Sequence, residues 1–248
     1  MILVLSGEGA TDIGTRKLSE SGWEFVPGPM ARIVDKLLEQ PEKLNYSILD
    51  LHTSGGDCIC FVNETELSAL KYARPRFFPR ESGTFGLQPF RANAHQLGKH
   101  ALAVARERRA PVVAVLFRDS DGTNSAPKTL WKAIFESIKA GFQLAGFQSG
   151  VPMVPRPKSE AWMLCGLLKR EDAGRNCSRL EEAPGNDASP KSLKTRLAKH
   201  LNFEPTAEQQ AELVSCGTVD PALIDLPSFR AFRAELDRAY VLATQPLN

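Results

Sequence analysis

Three acidic residues stand where a chain would place metal-ligating oxygens. Glu8 lies in Ser6-Gly7-Glu8-Gly9-Ala10-Thr11-Asp12, directly after the apolar run 2–5. Asp119 and Asp121 lie in Phe117-Arg118-Asp119-Ser120-Asp121-Gly122, directly after the run 112–117. Glycines on both sides of Glu8 allow a sharp turn and leave room for a bulky ligand. A spacing of two puts Asp119 and Asp121 on one side of an extended segment. Three carboxylates meeting at one edge repel one another unless a hard divalent cation sits between them. Mg²⁺ (or Mn²⁺) suits such an all-oxygen set and often shares its shell with substrate phosphates. Each feature alone has a plainer use. D-x-D-G occurs in surface turns and calcium loops, Glu8 could cap a helix, and Asp12 is as good an N-cap as a ligand. The combination, with each acid following its own buried strand, favours the metal site.

The elements that must position these acids read as strands alternating with helices. Residues 1–6 form a first strand, 7–9 a tight turn, and Asp12 onward a short helix. Helical spacing of Met30, Ile33, Val34, Leu37 and Leu38 predicts a helix over 29–39. Residues 46–51 read as a second buried strand, followed by a short strand (58–62), a short helix (64–72) and a loop rich in Pro, Arg and Phe. A helix over 94–108 leads into 112–117, the most strand-like run of all. A long amphipathic helix (128–145), a short strand (151–154) and a helix (159–168) follow. After a polar loop (171–190), the remainder is helical apart from loops near Pro205 and Pro221. This alternation predicts an α/β fold with a mainly parallel sheet. Residues 1–155 would form that domain, with an irregular insertion over about 55–92, and 156–248 a helical region packed on it. Ligands gather at the carboxyl edge of such sheets, where both acidic clusters fall.

The pattern of a glutamate in a G-x-T-[DE] turn after the first strand, then D-x-D after a later apolar strand, resembles the Toprim fold. Topoisomerases, bacterial primases, RecR-type recombination proteins and OLD-type nucleases share that fold. The resemblance implies Mg²⁺-dependent phosphodiester chemistry, with Glu8, Asp119 and Asp121 as its acids. Gly7 departs from the family, where an apolar residue usually precedes the glutamate. A second stretch, Pro157-Lys158-Ser159-Glu160-Ala161-Trp162-Met163-Leu164, is similar to the P-x-x-E-A-W-[LM]-L segment of a stand-alone bacterial Toprim-like group often found beside defence genes. The Pro190–Lys194 and Pro227–Phe232 segments look like the same group.

Glu160 then has two readings. It could reach the sheet edge and serve a second metal ion, or it could merely complement the positive end of its helix. The family resemblance favours the first. Trp162, among Met163, Leu164, Leu167 and Leu168, reads as core. Arg118 could pair with the acids or face a substrate phosphate. Arg74, Arg76 and Arg80 alternate with Phe77 and Phe78, which suits either a backbone-tracking surface or a loop whose phenylalanines plug the core. Lys191 and Lys194 stand at a helix start, where phosphate contact is feasible. His52, His95, His100 and His200 show no triad-like or metal-ligand spacing.

The bulk numbers set bounds. With 248 residues, 42% hydrophobic and 24% charged, the chain can bury a sizeable core. A net charge of +2 means that any surface for a polyanion must be local. No run approaches the roughly 20 apolar residues of a membrane helix, and the N-terminus lacks the features of a signal peptide. Five cysteines without zinc-ligand spacing suit a reducing, cytoplasmic setting. The leading expectation is a nuclease that cuts DNA or RNA with water as the nucleophile. The alternative is a binding or regulatory subunit with a weak or partner-dependent site, acting with an ATPase, since no P-loop motif is present. A phosphotransferase using the D-x-D aspartate ranks last, because it leaves Glu8 without a role.

Overall fold

The computed structural model describes residues 1–9, 11–20, 22–70, 72, 87–120 and 128–245. Its centre is a four-stranded parallel sheet in the order β4 (Ile59–Phe61), β1 (Ile2–Gly7), β5 (Val112–Phe117), β6 (Gly150–Met153). The central pair runs in register from Ile2 opposite Val112 to Gly7 opposite Phe117. Both strands are buried along their whole length, which is why they are continuous apolar runs rather than alternating ones.

Side-chain alternation divides these strands between two cores. Leu3, Leu5, Val113, Val115 and Phe117 face one, with α1 (Pro29–Leu38), α6 (Ser159–Glu171) and α9 (Pro227–Thr244). Ile2, Val4, Val112, Ala114 and Leu116 face the other, with α4 (Gln88–Arg108) and α5 (Lys128–Ala145). The last two helices pack closely. A Cβ on Gly141 would lie 2.3 Å from the Arg91 carbonyl oxygen, so only glycine fits there.

The structure is thus α/β with helices on both faces of a parallel sheet. The C-terminal helices share the first core with the sheet. Trp162 is fully buried there, edge-on to Phe229 at 5.0 Å and stacked on Phe232 at 5.4 Å, and its Nε1 donates to Ser228 Oγ. Between α6 and α9 the chain forms α7 (Leu193–Leu201) and α8 (Ala207–Ser215). No helix among the described residues is long and apolar enough to cross a membrane.

Two local expectations fail. The segment after Asp12 is not a helix but an antiparallel hairpin, β2 (Gly14–Ser19) and β3 (Gly22–Pro27). Gly14 and Gly22 take positive φ at its two ends, and a period-two pattern runs between them. The expected strand at 46–51 is a helix, α2 (Ile48–Thr53). Ser47 caps it by accepting from the Asp50 N–H at 3.0 Å. The buried Asp35 carboxylate of α1 accepts from the Ser47 hydroxyl and from the N–H groups of Ile48 and Leu49. An acceptor from a distant helix takes the first-turn donors and fixes the helix start. The short strand and the short helix beyond it appear as β4 and α3 (Glu64–Ala69). Arg74, Arg76 and Arg80 lie outside the described residues.

Candidate functional site

The carboxyl ends of β1 and β5 lie side by side, so the residues after them emerge at one edge. Glu8 N–H still donates to the Phe117 carbonyl at 3.3 Å, and Arg118 N–H to that of Met153 at 3.0 Å. Ser120 N–H donates to the Pro157 carbonyl at 3.1 Å, tying the segment after β5 to the start of α6. Asp119 Oδ1 then accepts from the Ser159 N–H at 3.1 Å. Ser159, almost fully buried, turns its hydroxyl the other way and donates to Asp12 Oδ1 at 2.6 Å. One serine therefore links acids from two loops. Gly28 keeps the first loop close to α1: a Cβ there would lie 2.0 Å from the Thr11 carbonyl oxygen.

Glu160 occupies the first turn of α6. Its Oε2 is shut off from solvent and has no hydrogen-bond partner among the described residues. Burial pushes its carboxyl above the ordinary range. The negative charges of Asp12 and Asp187 add to that, while its own backbone N–H and Lys158 oppose it. Asp12 is raised as well, again chiefly by burial, against the Ser159 hydrogen bond and the charge of Lys158, with Glu8 adding repulsion. Glu8 therefore lies close enough to Asp12, and Asp12 to Glu160, for their charges to matter.

Arg118 is the counter-charge at this edge. Its side chain is only 7% exposed, with the guanidinium 3.1 Å from Glu8 and 2.6 Å from Glu64. It also lies 5.9 Å from the Phe90 ring centroid.

No protein-family model matches this chain, and no curated protein or solved structure matches it significantly. The site therefore rests on its own geometry.

Of the residues expected from sequence, Glu8, Arg118, Asp119 and Glu160 come to this one edge. Asp121 lies outside the described residues. Lys194 pairs with Glu204 at 2.8 Å and feels the charges of Asp187 and Glu160, so it stands at the periphery. Lys191 is exposed. Sequence reasoning gave no weight to Ser159 as a connector, nor to Glu64 or Lys158. Lys158 pairs with Asp187 at 2.8 Å beside the start of α6. Asp12, a cap or ligand candidate from its position after Thr11, caps no helix among the described residues. Its visible signal is the T-D that closes the glutamate turn. Among the described residues, no three His, Cys, Asp or Glu side chains converge as they stand on a point where a metal ion could be held.

The donor set is nonetheless all oxygen, the kind Mg²⁺ prefers. The unpartnered buried oxygen of Glu160 is one that a cation would satisfy.

Proposed function

We propose that this chain is a Mg²⁺- or Mn²⁺-dependent nuclease of Toprim type, hydrolysing phosphodiester bonds of DNA or RNA. The observations that carry the reading are that Ser159 ties Asp12 to Asp119, that Glu8 pairs with Arg118 at the same sheet edge, and that Glu160, next to Ser159, keeps a buried oxygen without a partner among the described residues. Glu8, Asp119, Asp121 and Glu160 would hold the ion, and Asp12 would adjoin them. A divalent cation held by those residues would supply positive charge to the phosphodiester under attack.

The chain's own groups do the rest. Arg118, held by Glu64 through one guanidinium nitrogen and by Glu8 through the other, could turn the second toward a phosphate if Glu8 served a metal ion. Burial raises the Glu160 carboxyl and so favours its protonated form when no ion is bound. Water attacks phosphorus, one P–O ester bond breaks, and the leaving oxygen takes up a proton. Ser159 holds Asp12 and Asp119 in place through this. Lys194 lies where a flanking phosphate could pass. The resemblance of the 157–164 segment to defence-associated Toprim-like chains is the ground for proposing a role against invading nucleic acid.

The test is incubation of the purified chain with single- and double-stranded DNA and RNA in Mg²⁺, Mn²⁺ or EDTA. Cleavage that needs the ion, and that is lost in the Asp119→Ala/Asp121→Ala variant, is the expected result.

One observation favours a second reading. Arg118 occupies Glu8, and no three acids among the described residues converge on one point. A regulatory subunit whose site is completed only by a partner, such as an ATPase, would look like this. Activity that appears only on adding such a partner would favour it.

A further inference from the structure

The hairpin β2–β3 carries a second feature. On one of its faces, Arg16 and Leu18 lie opposite Phe25 and Trp23. The base of that face is packed: the Phe25 ring is 5.0 Å from Phe61, and Arg16 covers Phe61 at 5.7 Å while pairing with Glu66. The tip of the same face is bare. Leu18 and Trp23 are each 71% exposed, although they sit directly across from one another. An indole left in water beside a leucine forgoes the burial that normally places such side chains inside.

Trp23 also forms one wall of a cleft of about 650 Å³, which Thr15, Asn63, Glu64 and Thr65 help to line and which opens beside Gly9. Gly9 follows Glu8, and Glu64 is held by the same Arg118 that holds Glu8. The cleft is thus continuous with the candidate catalytic edge.

We propose that this cleft is a base-stacking subsite for single-stranded nucleic acid, with one unpaired base lying on Trp23. The inference rests on the nuclease reading and names the form of its substrate. The lining decides the occupant. Its carboxylates are paired, Glu66 with Arg16 and Glu64 with the Arg118 that it shares with Glu8, so the cleft repels a phosphate and suits a neutral ring. Hydroxyl and amide groups of Thr15, Asn63 and Thr65 can meet the polar edge of a base. Phe61 is covered, which leaves Trp23 as the wall with a free aromatic face. Bases in a duplex are stacked on one another and cannot offer theirs, whereas a single strand can. Its backbone would then run from the cleft past Gly9 toward Arg118.

Binding of a fluorescently labelled 15-mer of deoxythymidine in EDTA tests this without any cleavage, together with quenching of tryptophan emission by the unlabelled oligomer. Of the other tryptophans, Trp162 is fully buried and Trp131 is half-buried with Nε1 bonded to the Val154 carbonyl, so quenching reports on Trp23. The expected result is quenching in the wild type, about tenfold weaker binding with no quenching in Trp23→Ala, and affinity mostly kept in Trp23→Phe. A duplex of mixed sequence should compete poorly. The Asp119→Ala/Asp121→Ala variant should bind and quench like wild type, which separates loss of stacking from loss of chemistry. Absence of single-strand binding by the wild type, or binding by Trp23→Ala within twofold of wild type, overturns the proposal. So does a Trp23→Ala variant that changes only self-association in sedimentation, which would assign the tip to a second copy. Ion-dependent cleavage without Trp23-dependent binding would sink this inference and leave the nuclease reading standing.

Discussion

Ser159 gives its hydroxyl to Asp12 at 2.6 Å and its backbone N–H to Asp119 at 3.1 Å. It thereby locks a residue after β1 to a residue after β5 through the first turn of α6. Ser159→Ala should leave the Asp12 carboxylate buried without that donor, at a cost of about 1–3 kcal/mol of stability at neutral pH. The loss should shrink in acid, where Asp12 is protonated and needs the donor less. Urea denaturation in EDTA at two pH values measures both.

Asp119 has a structural task beside its proposed chemical one. Asp119→Asn keeps an oxygen for the Ser159 N–H, so stability should stay within about 0.5 kcal/mol of wild type. Asp119→Ala removes that acceptor and should cost about 1 kcal/mol. Both should abolish ion-dependent cleavage. An active, well-folded Asp119→Asn chain would count against a ligand role.

Glu160 should show a trade between stability and activity. Its carboxyl is raised above its ordinary value of 4.5 in the fold, so the folded chain keeps a proton that the unfolded chain has already lost. Ionised Glu160 therefore destabilises the fold above its raised value, and the penalty fades as pH falls toward 4.5. Glu160→Gln in EDTA should raise the melting temperature at pH 8 and lose that advantage near pH 4.5. Its turnover should fall by orders of magnitude with substrate affinity little changed. A variant less stable at pH 8 would show that Glu160 acts as a favourable helix-end charge instead.

Asp35 offers a control far from the edge. Asp35→Ala leaves the Ile48 and Leu49 N–H groups and the Ser47 hydroxyl without their shared acceptor. It should cost about 1–3 kcal/mol, with cleavage per folded molecule unchanged. Chemical denaturation and activity on the same sample check the two halves.

What the sequence discloses follows from how local each cause is. β1 and β5 are readable because burial on both faces makes them unbroken apolar runs, and α5 is readable because its amphipathic stripe persists from 128 to 145. Glu8, Asp119 and Glu160 are legible as a group because each directly follows a strand or opens a helix. The helix at 48–53 is hidden, since Ile48-Leu49-Asp50-Leu51 looks like a strand until Asp35 supplies its acceptor from another helix. The Ser159–Asp12 bond spans 147 positions in sequence, and no spacing rule reaches that far. The hairpin is a different case. Its period-two pattern was present, but Leu18 and Trp23 point to water, so the usual inside-outside signature of a strand is missing.

That hairpin forms a two-stranded sheet of its own, separate from the four strands of the main sheet. A one-residue insertion in β1 would swap Leu3 and Leu5 with Ile2 and Val4 between the two cores. A change of length at the β2–β3 tip would leave Glu8, Asp119 and Ser159 where they are. The two parts can therefore drift at different rates among descendants of this chain. The acids and their strands are fixed in length, while the arm beside them is free to be rebuilt.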